Sequence, residues 1–316
     1  MATKAENVKY WREREAKFID KRVTDDKKLG LEAAKRFDVL TKDISDQITV
    51  WLDKYAGENG ITLAEAKKRV STADIDSLSG RIKKVGHKLP PTDPARADLR
   101  LYNLTMKVNR LEYLKAEMGL TVAEFYGETS EALYKGFYQA AMDEYERLGG
   151  EYLNFTAKHT TRDIKELIQG SLNNSPDSAN WSDRLWGASS TTYGMLVDQV
   201  TKGIILGENP RKVAARVKKA LNTSRMAAER LARTEMARIQ TEQTLNVIES
   251  MNVSQYIFVT QGNACDICKS LDGKTFRTTN LDNIPPLHPN CRCAISPYVD
   301  RDEYEAEMIA AGYWKK

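Results

Sequence analysis

The chain has 316 residues, enough for two or three domains. Hydrophobic residues make up 41% and charged residues 29%, a globular composition with apolar mass for a core, and no apolar run approaches the roughly 18–20 residues that cross a bilayer. Lys and Arg total 48 against 44 Asp and Glu; the resulting +4 is too mild to imply nucleic-acid binding from charge alone, and the opening MATKAENVKYWRERE lacks the apolar stretch of a secretory signal.

From Ala33, apolar residues recur at Phe37, Leu40, Ile44, Ile48, Trp51 and Tyr55, the one-sided spacing of an amphipathic helix. Gly57 and Gly60 suit its end. Thr62 with Glu65 reads as a capping box opening a short helix over Leu63 to Val70. The proline-rich HKLPPTDP within Gly86 to Pro94 reads as a linker. A second helix is expected over Leu101, Leu104, Val108, Leu111, Leu114 and Met118, stopped by Gly119, with Thr121 capping the next. Leu133, Phe137, Ala141, Tyr145 and Leu148 mark a third stripe ending at Gly149-Gly150, and all three stripes fit a helix-bundle core.

The Ser/Asn/Pro-rich stretch between Gly170 and Ala188 reads as a loop and domain boundary. Helix resumes from Trp186 to Ile205, breaks at Gly207, and re-enters at Asn209-Pro210. From there to Leu245 basic residues outnumber acids by six, more than the excess of the whole chain. Arg216, Lys219, Arg230 and Arg233 can share one stripe of that helix and are candidate phosphate contacts, although a solvated or protein-binding face explains them as well. Gln255 to Thr260 is strand-like, Lys274 to Phe276 and Ala294 to Ser296 are candidate strands, and a terminal helix is expected near Asp300 to Ala311.

All four cysteines lie in one short segment, Cys265-Asp-Ile-Cys268 and Cys291-Arg-Cys293, with His288 three positions before Cys291. A C-x2-C knuckle places two thiolates on one turn, and a second pair from a later segment closes the tetrahedron that zinc favours. Five candidate ligands compete for four places: Cys265, Cys268, His288, Cys291 and Cys293. The spacing favours the first three with one of the last two. Asp272-Gly273 signals a hairpin turn, and Pro285, Pro286 and Pro289 keep the His288 segment extended. So small a ribbon needs a staple, which a structural zinc would supply. Disulfides, buried free thiols and a redox C-x2-C are the alternatives. No Walker loop, nucleophile elbow, H-E-x-x-H or deaminase signature is present.

Arg233-Thr234-Glu235 in a helix, then an aromatic strand, then CDICKSLDGKTF, then PPLHPNCRC resembles the phage Mu F-like minor head protein family, over about Ala188 to Pro297. Tyr10-Trp11-Arg12 ahead of long helices also looks like minor head proteins of tailed phages of Gram-positive hosts. The resemblance implies a structural virion protein of head morphogenesis, in few copies in the head interior or at the portal vertex, and in the host cytoplasm during assembly. It implies the portal protein as partner, with major capsid or scaffold protein and non-specific DNA as further partners. The competing class is a nucleic-acid-modifying or ADP-ribosyl-transferring enzyme using Arg233 and Glu235 in a cleft.

The expected fold is therefore mainly α: an N-terminal helical bundle and a C-terminal α+β domain whose small β-ribbon is stapled by the Cys/His cluster. The expected boundaries are 1–170 for the helical domain, 171–187 for a linker and 188–316 for the Mu F-like domain, with the ribbon at 255–297.

Overall fold

The computed structural model describes residues 3–55, 63–66, 68–85, 109–151, 161–173, 179–310 and 312. The fold is mainly helical, with one small antiparallel sheet near the C-terminus. In order the elements are α1 (Lys4–Tyr55), α2 (Leu63–Ala66), α3 (Thr72–Val85), α4 (Arg110–Glu151), α5 (Thr161–Asn173), α6 (Trp181–Ile205), α7 (Pro210–Ser250), β1 (Gln255–Val259), α8 (Asp266–Leu271), β2 (Thr275–Arg277), β3 (Ala294–Pro297) and α9 (Arg301–Ala310).

The chain groups into two compact units, each built from separate stretches: 1–30, 133–181 and 230–316 form one, 31–132 and 182–229 the other. The linear division at 1–170, 171–187 and 188–316 remains a reading of the sequence.

In the second unit the stripe on α1 is buried as its spacing demands, with Phe37, Leu40, Ile44, Ile48 and Trp51 all in the core. The Trp51 indole N–H donates to the Arg110 carbonyl at 2.8 Å. Buried hydroxyls pair in a chain, the Tyr126 OH 2.9 Å from Thr192 Oγ1, which donates to Ser224 Oγ at 2.8 Å. Gly119 does not stop a helix: α4 runs through it, because a Cβ there would stand 3.1 Å from the Tyr193 ring and glycine leaves that room. Asn209 does open α7, its side-chain oxygen accepting from the Arg211 N–H at 2.9 Å.

In the first unit, four charged side chains alternate in a nearly dry ring. Arg22 lies 2.8 Å from Glu15 and 2.6 Å from Glu144, and Arg147 pairs with both acids. Beside it the three-stranded sheet runs β2-β1-β3, both pairings antiparallel, with Tyr256 opposite Phe276 and Phe258 opposite Ile295. Alternation splits the strands between two cores. Ile257, Val259 and Ala294 pack with Trp11, Ile19, Tyr145, Leu148 and Tyr304. Tyr256, Phe258 and Ile295 pack with Cys268, Cys291 and Cys293.

Several boundaries differ from the sequence reading. Helix α1 begins near residue 4 rather than 33, and α3 and α5 are additional to the expected elements. Of the stretch read as a loop between Gly170 and Ala188, residues up to 173 are helical and α6 starts at Trp181, whose buried ring packs edge-on against Phe137. Asp272-Gly273 is not the tip of a two-strand hairpin: α8 intervenes between β1 and the turn, which Gly273 makes at φ +71°. The helix end at Gly57 and Gly60, the Thr62 cap, the proline linker, the Leu101, Leu104 and Val108 part of the second stripe, and 174–178 lie outside the described residues.

Candidate metal centre

The C-x2-C pair is presented by α8, a helix rather than the turn its spacing suggests. Cys265 precedes its first residue, its carbonyl accepting from the Lys269 N–H at 2.9 Å, and Cys268 lies one turn on, buried under the sheet. The other half arrives on the segment between β2 and β3. Asn290, at φ 64°, turns the chain between His288 and Cys291, a conformation asparagine tolerates. Pro285-Pro286 is cis.

These segments bring the five sequence-identified residues together. His288 Nε2 is 3.2 Å from Cys265 Sγ and 3.4 Å from Cys268 Sγ, and Cys268 Sγ is 3.8 Å from Cys291 Sγ. Tetrahedral zinc would place sulfurs about 3.8 Å apart and sulfur from nitrogen about 3.5 Å apart. Two overlapping groups, Cys265–Cys268–His288 and Cys268–Cys291–Cys293, can each hold a metal ion, and they share Cys268. All four cysteines are free. The imidazole is oriented to coordinate through Nε2, since its Nδ1 lies 2.9 Å from the Pro289 carbonyl, which can only accept. That puts the proton on Nδ1 and leaves the Nε2 lone pair facing the sulfurs.

The thiols are electrostatically unequal. A hydrogen bond from the Cys293 thiol brings Cys291 down to about 5, while its partnership with Cys291, and burial, push Cys293 far above the ordinary range. Burial pushes Cys268 up to about 12. The backbone N–H of Cys268 lowers exposed Cys265. The hydrogen bond to Pro289 raises His288.

The loop is fastened to two helices. The Asn290 N–H donates to Thr234 Oγ1 on α7 at 3.0 Å, and Arg292 points away from the sulfurs to Asp26 of α1, 2.9 Å off. Sequence reasoning singles out Arg233-Thr234-Glu235 but not this contact, nor Asp26.

Residues 195–296 match the model of the family described as Phage Mu protein F like protein. Over this segment the chain is similar to the Mu F-like family. The Mu F-like segment takes in the end of α6, all of α7, the ribbon and its five candidate ligands. The family is one of structural, head-morphogenesis phage proteins. Comparison with curated proteins and with solved structures finds no match.

Within the Mu F-like segment the enzyme reading gains no support. Residues two apart on a helix point about 200° apart. Accordingly, the Arg233 guanidinium lies against Gly30, while Glu235 is buried in an ion pair with Arg238 at 2.7 Å. An open cleft of about 780 Å³ in the same unit is lined by Asp163, Glu166, Ser171, Glu242 and Asn246, and by neither Arg233 nor Glu235. Of the four candidate phosphate contacts, Lys219 and Arg230 are exposed. Arg216 is half-buried, paired with Glu208 and donating to the Gln199 carbonyl at 3.2 Å, and Arg233 is half-buried. Among the described residues, no helix is long and apolar enough to cross a membrane.

Proposed function

We propose that the chain is a minor head protein of a tailed bacteriophage. It acts in head morphogenesis and associates with the portal protein, at the portal vertex or head interior of the virion and in the host cytoplasm during assembly. One observation carries the reading: the family match covers the same stretch that builds the Cys/His ribbon and the helix fastened to it. Particles of the phage that encodes the chain test it. Mass spectrometry should find the chain in purified heads in few copies, it should co-purify with portal protein, and a stop codon early in its reading frame should yield defective heads. Heads lacking the chain, with normal assembly in the stop mutant, overturn the reading.

The ribbon, in this proposal, carries a structural zinc on Cys265, Cys268, His288 and Cys291, with Cys293 hydrogen-bonded to Cys291 outside the ligand set. The short distances from His288 to Cys265 and Cys268 and from Cys268 to Cys291, with the orientation of His288, support that choice. The engaged side chains of Arg216 and Arg233 favour a protein partner over DNA for the basic helix. Lys219 and Arg230 alone would give duplex binding whose logarithm falls with that of salt at a slope of about −2. Titration with duplex DNA at low and high salt separates the two, since a much steeper slope would favour DNA.

A further inference from the structure

The segment joining β2 to β3 has no regular secondary structure. Backbone hydrogen bonds within it are local, such as Ile284 N–H to the Leu281 carbonyl and Cys291 N–H to the His288 carbonyl. Beyond its packed apolar side chains Ile284 and Leu287, its later part is placed by the candidate ligands and by two ties to helices. Those ties alternate with the ligands along the chain. Asn290, between His288 and Cys291, reaches Thr234 on α7; Arg292, next after Cys291, reaches Asp26 on α1. The Thr234 hydroxyl is aimed for this role, because it donates to the Arg230 carbonyl at 2.8 Å and so offers its lone pair to Asn290. On the neighbouring turns Gly30 lies against Arg233, with 3.5 Å between the guanidinium and the place a Cβ would take.

We propose that an ion on Cys265, Cys268, His288 and Cys291 acts as a clamp, tying α1 to α7 through Asn290 on Thr234 and Arg292 on Asp26. The clamp rests on the metal reading above. Fixing His288 and Cys291 on one ion fixes the residue between them and the one after, and hence both ties. Linkage makes this reciprocal: whatever the ion contributes to the helix contacts, those contacts contribute to ion affinity.

Hydrogen exchange on the full chain, purified reduced with zinc and again after chelation, tests the clamp. Peptides covering 24–30 and 230–236 should exchange about tenfold faster without zinc, a typical size for such coupling. Peptides around Trp11 to Ile19 should not change, since the Trp11 indole N–H is held by the Val299 carbonyl at 2.8 Å and both side chains sit in the other core. Asp26→Asn and Thr234→Val should each weaken zinc binding severalfold. If Asp26→Asn fails to fold, Thr234→Val carries the affinity test alone. One zinc per chain with unchanged exchange on chelation, and unchanged affinity in the variants, overturns the clamp and leaves the metal reading standing. A chain that binds no zinc removes the metal reading and the clamp with it.

Discussion

Arg292 and Asp26 form an ion pair almost out of water: the guanidinium is 2.9 Å from the carboxylate, and the side chains are 12% and 3% exposed. Burial pushes the Asp26 carboxyl up to about 6, against the pull of Arg292 and Arg233. It is therefore ionised and paired at neutral pH and takes up a proton in mild acid.

The sign of its pH effect follows. The folded chain holds this proton more tightly than the unfolded chain, where the group titrates near 3.8. Its contribution to stability is fully present below about pH 4 and is lost as pH rises through about 6. Asp26→Asn should flatten that part of the profile, measured as the difference between variant and parent in urea unfolding across this range.

Arg292→Met leaves the Asp26 carboxylate buried without its nearest cation. At neutral pH this should cost about 3–5 kcal/mol of unfolding free energy, the usual penalty for stranding a buried charge. Below about pH 6 the loss should shrink, because Asp26 then takes up a proton.

The ligand choice can be read by elemental analysis of reduced protein. The parent should carry one zinc per chain, and Cys268→Ser or His288→Ala should abolish it. Cys293→Ser should keep it, because the serine hydroxyl can still donate to Cys291. Loss of zinc in Cys293→Ser with retention in Cys291→Ser would reverse the assignment.

The ring of Glu15, Arg22, Glu144 and Arg147 gives an acid-side prediction. Its two arginines hold Glu144 down to about 2, against burial. That stability is present above about pH 4.5 and is lost as pH falls toward 2. Glu144→Gln should destabilise by about 3–5 kcal/mol at neutral pH and weaken the acid dependence, as followed by circular dichroism.

In the second unit, a Cβ on Gly203 would collide with a methyl of Val213, whose branched side chain has few rotamers to escape into. Gly203→Ala should therefore lose about 1–3 kcal/mol despite the better helix propensity of alanine. Chemical denaturation measures this directly.

The Phe37 to Tyr55 stripe is legible in the sequence because every buried position there is apolar. The first part of the same helix is hidden because the buried positions Glu15 and Asp26 are charged. Glu15 pairs with Arg22 on its own helix, but the other partners, Arg147 and Arg292, lie far along the chain and leave no periodic trace. Gly119 misleads for a related reason, since the ring that explains it belongs to Tyr193. The metal candidates are legible as a cluster because thiol and imidazole spacing is itself a local pattern. The Thr234–Asn290 contact is not, since one of its atoms is a backbone N–H and carries no residue signature.

The Trp11 indole finds its acceptor at Val299, 288 positions later. A ribosome makes the first helix of this chain long before the carbonyl that helix needs. Until β1 has emerged Trp11 and Ile19 have no Ile257 or Val259 to cover them, and until β3 has emerged they have no Ala294. The first unit can therefore close only once β3 has emerged, and a nascent chain cut short before β3 leaves an apolar helix face exposed to whatever is nearby. Such late closure makes folding slow by topology alone, whatever the final stability.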